Sequence, residues 1–167
     1  MGSITIPHVI GTTTLILVFI GVTMFYTISY FSLQNEALAR QLQEAADYVS
    51  SSLIDLVSLS FINPADQLLI KSLDLPQNIG SDFYILTLIE ETNPITQEKV
   101  LLVKAYFSSK PSVYRESLLP WSTVKIFNGT GGPTDLNPCI SISSSVANAV
   151  IWAWKQDAEL TIGLGER

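Results

Sequence analysis

The side chains with the types for covalent, metal or acid–base chemistry are few in this chain and far apart. His8 is the one imidazole, and no nucleophile or second metal ligand stands near it. It suits an interface or membrane-surface position. Cys139 follows Pro138 and has no neighbouring base, so it reads as a buried structural thiol rather than a nucleophile. A single cysteine also excludes an intramolecular disulfide framework and any multi-cysteine zinc site. Glu90 and Glu91 point to opposite faces if they lie in a strand, which makes them solvated hairpin-end charges rather than an acid/base pair. Asp135 and Asn137 would supply only two oxygens to a calcium ion, and the same spacing is that of an ordinary turn. Gly129-Thr130-Gly131-Gly132 lacks the lysine and the helix start of a phosphate-binding loop. Trp121, Trp152 and Trp154 could stack a ligand, although packing in a core or subunit interface is the usual fate of large aromatics. No catalytic, cofactor-binding or metal-binding residue is therefore expected, and no enzyme. One modification motif is present: Asn128-Gly129-Thr130 is an N-glycan acceptor sequence, with Asn128 as the candidate site if the domain is exported.

The composition points the same way. Of 167 residues, 47% are hydrophobic and only 14% charged, against roughly 25% charged in an average soluble protein. The net charge of −6 argues against a nucleic-acid partner, which requires a basic surface to neutralise phosphates. The apolar fraction is too high for a disordered chain. The charges are missing from one end: Met1 to Asn35 holds no Asp, Glu, Lys or Arg, and the first charge is Glu36.

Val9 to Leu33 is a predominantly apolar run, about the 20 residues that a helix needs to cross a hydrocarbon core. Threonines dilute it, yet their hydroxyls can bond back to carbonyls of their own helix. Pro7 suits a first helical turn. A cleaved secretory signal fits poorly, because no Lys or Arg precedes the run and no small-residue cleavage site follows it. The helical pattern continues through Gln34–Ser60, which is free of Gly and Pro. Leu38, Leu42, Ala45, Val49, Leu53, Leu56 and Val57 recur at three- and four-residue steps as an amphipathic stripe. Glu36 and Arg40 add a favourable i,i+4 pair. The pattern predicts one helix over about 7–60, about 80 Å long at 1.5 Å per residue, ended by Asn63-Pro64.

Beyond Pro64, short strands alternate with turn signals. The expected strands are Gln67–Leu73, Asp82–Glu90, Lys99–Phe107, Ser112–Ser117, Val124–Phe127, Cys139–Ser143, Val146–Lys155 and Glu159–Leu164. The second and third flank a polar loop with Asn93-Pro94 and read as a hairpin. In the last, Leu160, Ile162 and Leu164 alternate with Glu159, Thr161 and Gly163, as in a half-buried strand. Val146–Lys155 fits either a strand, by its tryptophans, or a helix, by its alanines; strand is preferred. The fold expected is α+β: a long hydrophobic N-terminal helix followed by a C-terminal antiparallel β-sandwich or barrel-like domain. Its parts are 1–34, an apolar transmembrane or filament-core helix; 35–62, the amphipathic continuation packing on the sheet; and 63–167, the β-rich domain.

Val9-Ile10-Gly11-Thr12 followed by Leu15-Ile16-Leu17-Val18-Phe19-Ile20 resembles the run that opens the archaellin helix. Leu75-Pro76-Gln77-Asn78-Ile79-Gly80 before Tyr84-Ile85-Leu86 is similar to the lead into the first main strand of archaeal pilin-like domains. With the helix-then-β architecture, the chain resembles the archaeal type IV pilin-like superfamily, which includes archaellins and adhesive pilins. Family precursors carry a leader ending in Lys or Arg before the cut; Met1–Ile6 offers no such basic residue. The resemblance implies a structural subunit that waits in the membrane and is then polymerised by an assembly machine. The product would be an extracellular helical filament for adhesion or motility. Its partners would be copies of itself, with no nucleic acid. A membrane-anchored minor pilin, tether or adhesin of such a machine is the alternative. The filament core would be packed by Val9, Ile10, Leu15, Ile16, Val18, Phe19, Ile20, Val22, Phe25 and Tyr26. Glu36, Glu44, Asp47 and Asp55 against Arg40 alone, just past the apolar run, favour an exterior β domain.

Overall fold

A computed structural model describes residues 5–62, 65–92, 97–157 and 159–167, and the side chains from residue 8 onward within those ranges. The fold is α+β: one N-terminal helix and nine short strands in two sheets. Contacts divide the chain into two compact units, Met1–Ala37 and Leu38–Arg167. Helix α1 covers Thr5–Ile62. It extends two residues past the expected Ser60; the proposed stop at Asn63-Pro64 lies outside the described residues.

In the second unit α1 buries the expected stripe. Leu42, Val49, Leu53 and Val57 are fully buried, Ala45 and Leu56 nearly so, and Leu38 packs partly buried against the same cluster. Ala39 and Ala46 join them. These side chains meet Tyr84, Leu86, Leu101 and Val103 of one sheet and Ile151, Ile162 and Leu164 of the other, forming a single core. Each fully buried aliphatic side chain contributes roughly 1.5–3 kcal/mol.

The strands are β1 (Gln67–Ser72), β2 (Tyr84–Thr92), β3 (Lys99–Phe107), β4 (Tyr114–Leu119), β5 (Lys125–Ile126), β6 (Asn137–Cys139), β7 (Ser141–Ser143), β8 (Ala149–Gln156) and β9 (Glu159–Glu166). One sheet runs β1-β8-β9-β5, with β6 also paired to β9; the other runs β4-β3-β2-β7. All pairs are antiparallel except β5 with β9, which is parallel. The β2–β3 hairpin pairs Tyr84 with Phe107 through Thr92 with Lys99; the expected loop at Asn93-Pro94 lies outside the described residues.

Two expectations need correction. Cys139–Ser143 is not one strand: Cys139 pairs with Leu164 and Ile142 with Leu86, so the chain crosses between sheets at Ile140. Gly163 does not belong to a solvated face. Trp152 covers it closely enough that a Cβ there would sit 2.3 Å from the indole ring. Phe127, Leu136, Val150 and Trp152 form a second small core on the outer face of that sheet, so the ambiguous segment is a strand buried on both faces over Ala149–Ala153. Trp152 donates its indole N–H to the Leu164 carbonyl at 2.8 Å and meets Phe127 edge-on at 5.5 Å.

α1 also covers part of a sheet edge. Gln43 donates to the Glu116 carbonyl at 3.2 Å and Ser50 to the Leu118 carbonyl at 3.2 Å, both on edge strand β4. At β1 the helix contributes an exposed side-chain ion pair, Asp55 to Lys71 at 3.6 Å, which leaves that strand's backbone untouched. Edge carbonyls left open would invite pairing with another chain, and on β4 the helix covers two of them.

Candidate functional site

The first unit is a helix without a core of its own. From His8 to Ala37 every side chain is exposed except Ser29, which is half-buried. The residues expected to pack a filament core range from Val22, 48% exposed, to Leu15, 72% exposed. Leu15 through Ile20 are six consecutive apolar side chains, and the five steps of about 100° between them pass all the way around a helix. The apolar surface is therefore a full cylinder rather than a stripe. Over 8–33 it runs about 39 Å, longer than the roughly 30 Å hydrocarbon core of a bilayer. The segment is long and apolar enough to cross a membrane, and none of that apolar stretch is buried within the chain.

The threonine hydroxyls in this cylinder are satisfied internally. Thr12 bonds the His8 carbonyl at 2.7 Å, Thr13 that of Val9 at 2.8 Å and Thr14 that of Ile10 at 2.9 Å. Thr23 and Thr27 each bond the carbonyl one turn back at 2.8 Å. These five threonine side chains thus cost little in a water-free setting, because a hydroxyl already bonded loses no water partner. A Cβ added at Gly11 or Gly21 would meet nothing within 4 Å, which leaves both positions open to a close neighbour. One signal was overlooked in the sequence: Tyr26 and Tyr30 stand one turn apart beside Phe25 and Phe31, with edge-on ring pairs at 6.0 and 6.1 Å. Tyrosines gathered at one end of an apolar helix are the usual occupants of a membrane–water boundary.

The chemistry-bearing side chains of the second unit are scattered. Cys139 is half-buried, and burial, reinforced by the nearby Glu166 carboxylate, pushes its thiol up, away from the thiolate that attacks or ligates. Glu90 is paired with Lys99 at 2.7 Å near the loop end of the β2–β3 hairpin. Among the described residues no three His, Cys, Asp or Glu side chains gather as a metal site. Trp121 packs against the main core, whereas Trp152 lies inside the smaller one with Trp154 half-buried against it, so the three tryptophans form no common surface. Asn128 is exposed, and its side-chain oxygen accepts from the Thr130 amide at 3.3 Å and hydroxyl at 2.9 Å. Gly129 continues this turn at φ +96°, a conformation that L side chains rarely adopt.

The buried polar groups are structural. Tyr84 donates to the Pro76 carbonyl at 2.9 Å, and burial pushes its phenol up to about 12. Ser144 donates to the Gln77 carbonyl at 2.6 Å and accepts from the Tyr84 amide at 3.1 Å, tying the loop before β2 to the segment after β7. Gly80 turns that loop at φ +66°. No protein-family model, curated protein or solved structure matches the chain.

Proposed function

We propose that the chain is a structural subunit of an extracellular, archaeal type IV pilus-like filament that polymerises through the first half of α1. The observation that carries this reading is the uncharged apolar cylinder over 8–33, exposed on every side in the single chain. Such a surface far exceeds the few hundred Å² of contiguous apolar area that soluble monomers leave in water. It has two coverings: lipid before assembly, and the same helix of other copies afterwards. In either setting a charge would be expensive to bury unpaired, which accounts for the delay of the first charge to Glu36. A head-to-tail contact that does not close on itself propagates as a helical polymer. The β-rich unit would face solvent and carry adhesion or motility contacts. The partners are further copies, the membrane and an assembly machinery, and no catalysis is assigned.

A single-span anchor that tethers the β unit satisfies the same charge rule, so the test separates polymer from anchor. Ile16→Lys is expected to abolish filaments on cells imaged by negative stain, while an isosteric Ile16→Leu retains them. Filaments that persist with Ile16→Lys overturn core packing. Wild-type material that is only dispersed in detergent supports the anchor.

A further inference from the structure

We propose that Asn128 is a modification site in the folded chain, the acceptor of an N-linked oligosaccharide transferred from a polyprenyl-phosphate carrier. The transfer requires an asparagine followed two residues on by Ser or Thr, with no proline between them. Asn128-Gly129-Thr130 meets this requirement, and no other asparagine in the sequence does. Asn63, Asn93 and Asn137 are each followed by Pro, and Asn35, Asn78 and Asn148 have Ala, Gly and Val two residues on. A motif of this length buried in a strand would accept nothing, so its setting decides. Here it stands on a short protrusion: Asn128, Gly129, Thr130 and Gly131 are all exposed, whereas Phe127 before them and Pro133 after them are buried. Phe127 is part of the outer core against Trp152, and its amide donates to the Ile162 carbonyl at 2.9 Å. Gly132 returns so close to that core that a Cβ on it would sit 2.7 Å from Pro138 and 3.0 Å from Phe127. Both ends of the protrusion are thus pinned, and the motif is held outward between them.

Inside the turn the reacting group is already oriented. The Asn128 Oδ1 accepts from both the amide and the hydroxyl of Thr130, at 3.3 and 2.9 Å. That directs the side-chain oxygen at Thr130 and turns Nδ2, the atom that forms the new bond, away from it. Gly129 and Gly131 carry the turn at φ +96° and +73°, and a Cβ at Gly131 would meet nothing within 4 Å. With no side chain at either glycine, the loop itself does not obstruct Asn128. In the transfer Nδ2 attacks C1 of the first sugar. The C1–O bond to the carrier phosphate breaks, its electron pair stays on that oxygen, and Nδ2 gives up one proton to a base of the transferase. Nothing is oxidised or reduced. No packed side chain has to move to make room, because Asn128 is exposed.

Modification in the cell rests on the exterior placement of the β-rich unit in the proposed function; the acceptor chemistry does not, and it holds or fails apart from polymerisation. The full chain, produced in detergent in a host that adds no N-glycans, is incubated with a polyprenyl-linked oligosaccharide and an oligosaccharyl transferase that reads Asn-x-Ser/Thr alone. An acceptor peptide in a parallel reaction is the positive control, and intact mass and peptide mapping are the readout. Wild type is expected to gain the mass of one oligosaccharide on the peptide holding Asn128. Asn128→Gln and Thr130→Val are each expected to lose that gain, and Thr130→Ser to keep it. A wild-type chain left unmodified while the peptide is modified overturns the proposal. So does a gain that survives Asn128→Gln, or one that appears only after the chain is unfolded by heat. The same chain inserted into glycosylating microsomal membranes tests the exterior placement separately. A β-rich unit that is modified and protected from added protease supports both readings. One that is open to protease and unmodified there, yet modified in detergent, overturns the exterior placement and leaves the acceptor site standing.

Discussion

Single residues carry the sharpest consequences where a side chain has no room to change. At Gly163 a Cβ would meet two atoms of the Trp152 indole at 2.3 and 2.5 Å, and the indole is pinned by its bond to the Leu164 carbonyl and by Phe127. Gly163→Ala is therefore expected to cost at least about 1–3 kcal/mol through overpacking, read as a fall of several degrees in the melting temperature. A melting temperature within a degree of wild type would show that the indole moves aside freely. Tyr84 is the residue with a pH consequence. Its phenol is raised in the folded state from the ordinary 10 to about 12, so the folded chain holds that proton more tightly than the unfolded chain. The stability this contributes is complete below pH 10 and is lost as pH rises through about 12. Melting temperatures measured from pH 9 to 12 should fall more shallowly in Tyr84→Phe than in wild type. The same variant should lose about 1 kcal/mol at neutral pH with the bond to Pro76. None of these partners was legible in sequence, since Tyr84 and Pro76 or Gly163 and Trp152 meet only through folding.

At the scale of elements, α1 was the most legible part. Its second half follows the three- and four-residue spacing because the stripe faces one continuous core, and period alone records that. Leu53 is fully buried and Leu59 is 55% exposed six residues on. Leu53→Ala should cost about 2–5 kcal/mol in chemical denaturation, and Leu59→Ala less than about 0.5 kcal/mol. Equal effects would mean that the helix does not dock by this face. The strands were legible in number more than in bounds. Lys99–Phe107 is read from its residues alone, because Val100, Leu101, Leu102, Val103 and Ala105 make it apolar on both faces. Cys139–Ser143 reads as one strand because Cys139, Ile140 and Ile142 are apolar, and local pattern carries no record that its two ends bond different sheets.

For the whole molecule, the two units differ in what completes them. Leu38–Arg167 has a core of its own, with α1 side chains and two sheets closing on each other. The described side chains of Met1–Ala37 have none, and their apolar surface is left exposed in the single chain. The proposed loss of filaments in Ile16→Lys should therefore leave the melting of the β-rich unit unchanged, because Ile16, 56% exposed, contributes nothing to that core. A large drop in melting temperature would instead show that the substitution acts through folding.

The amino-acid sequence by itself determined the uncharged cylinder, the single long helix and a β-rich remainder. These follow from residue type and spacing along the chain, since the cost of burying a charge and the period of an apolar stripe need no distant partner. Only the tertiary structure decided which face of β8 and β9 is covered, how Gln43 and Ser50 cover part of the β4 edge, and that Trp152 is sealed while Trp154 is left partly open. Those outcomes depend on residues brought together across many positions of the chain. Trp152 and Trp154 are two positions apart and lie on the same face of one strand, yet Trp152 is fully buried in the outer core while Trp154 is only half-buried against it.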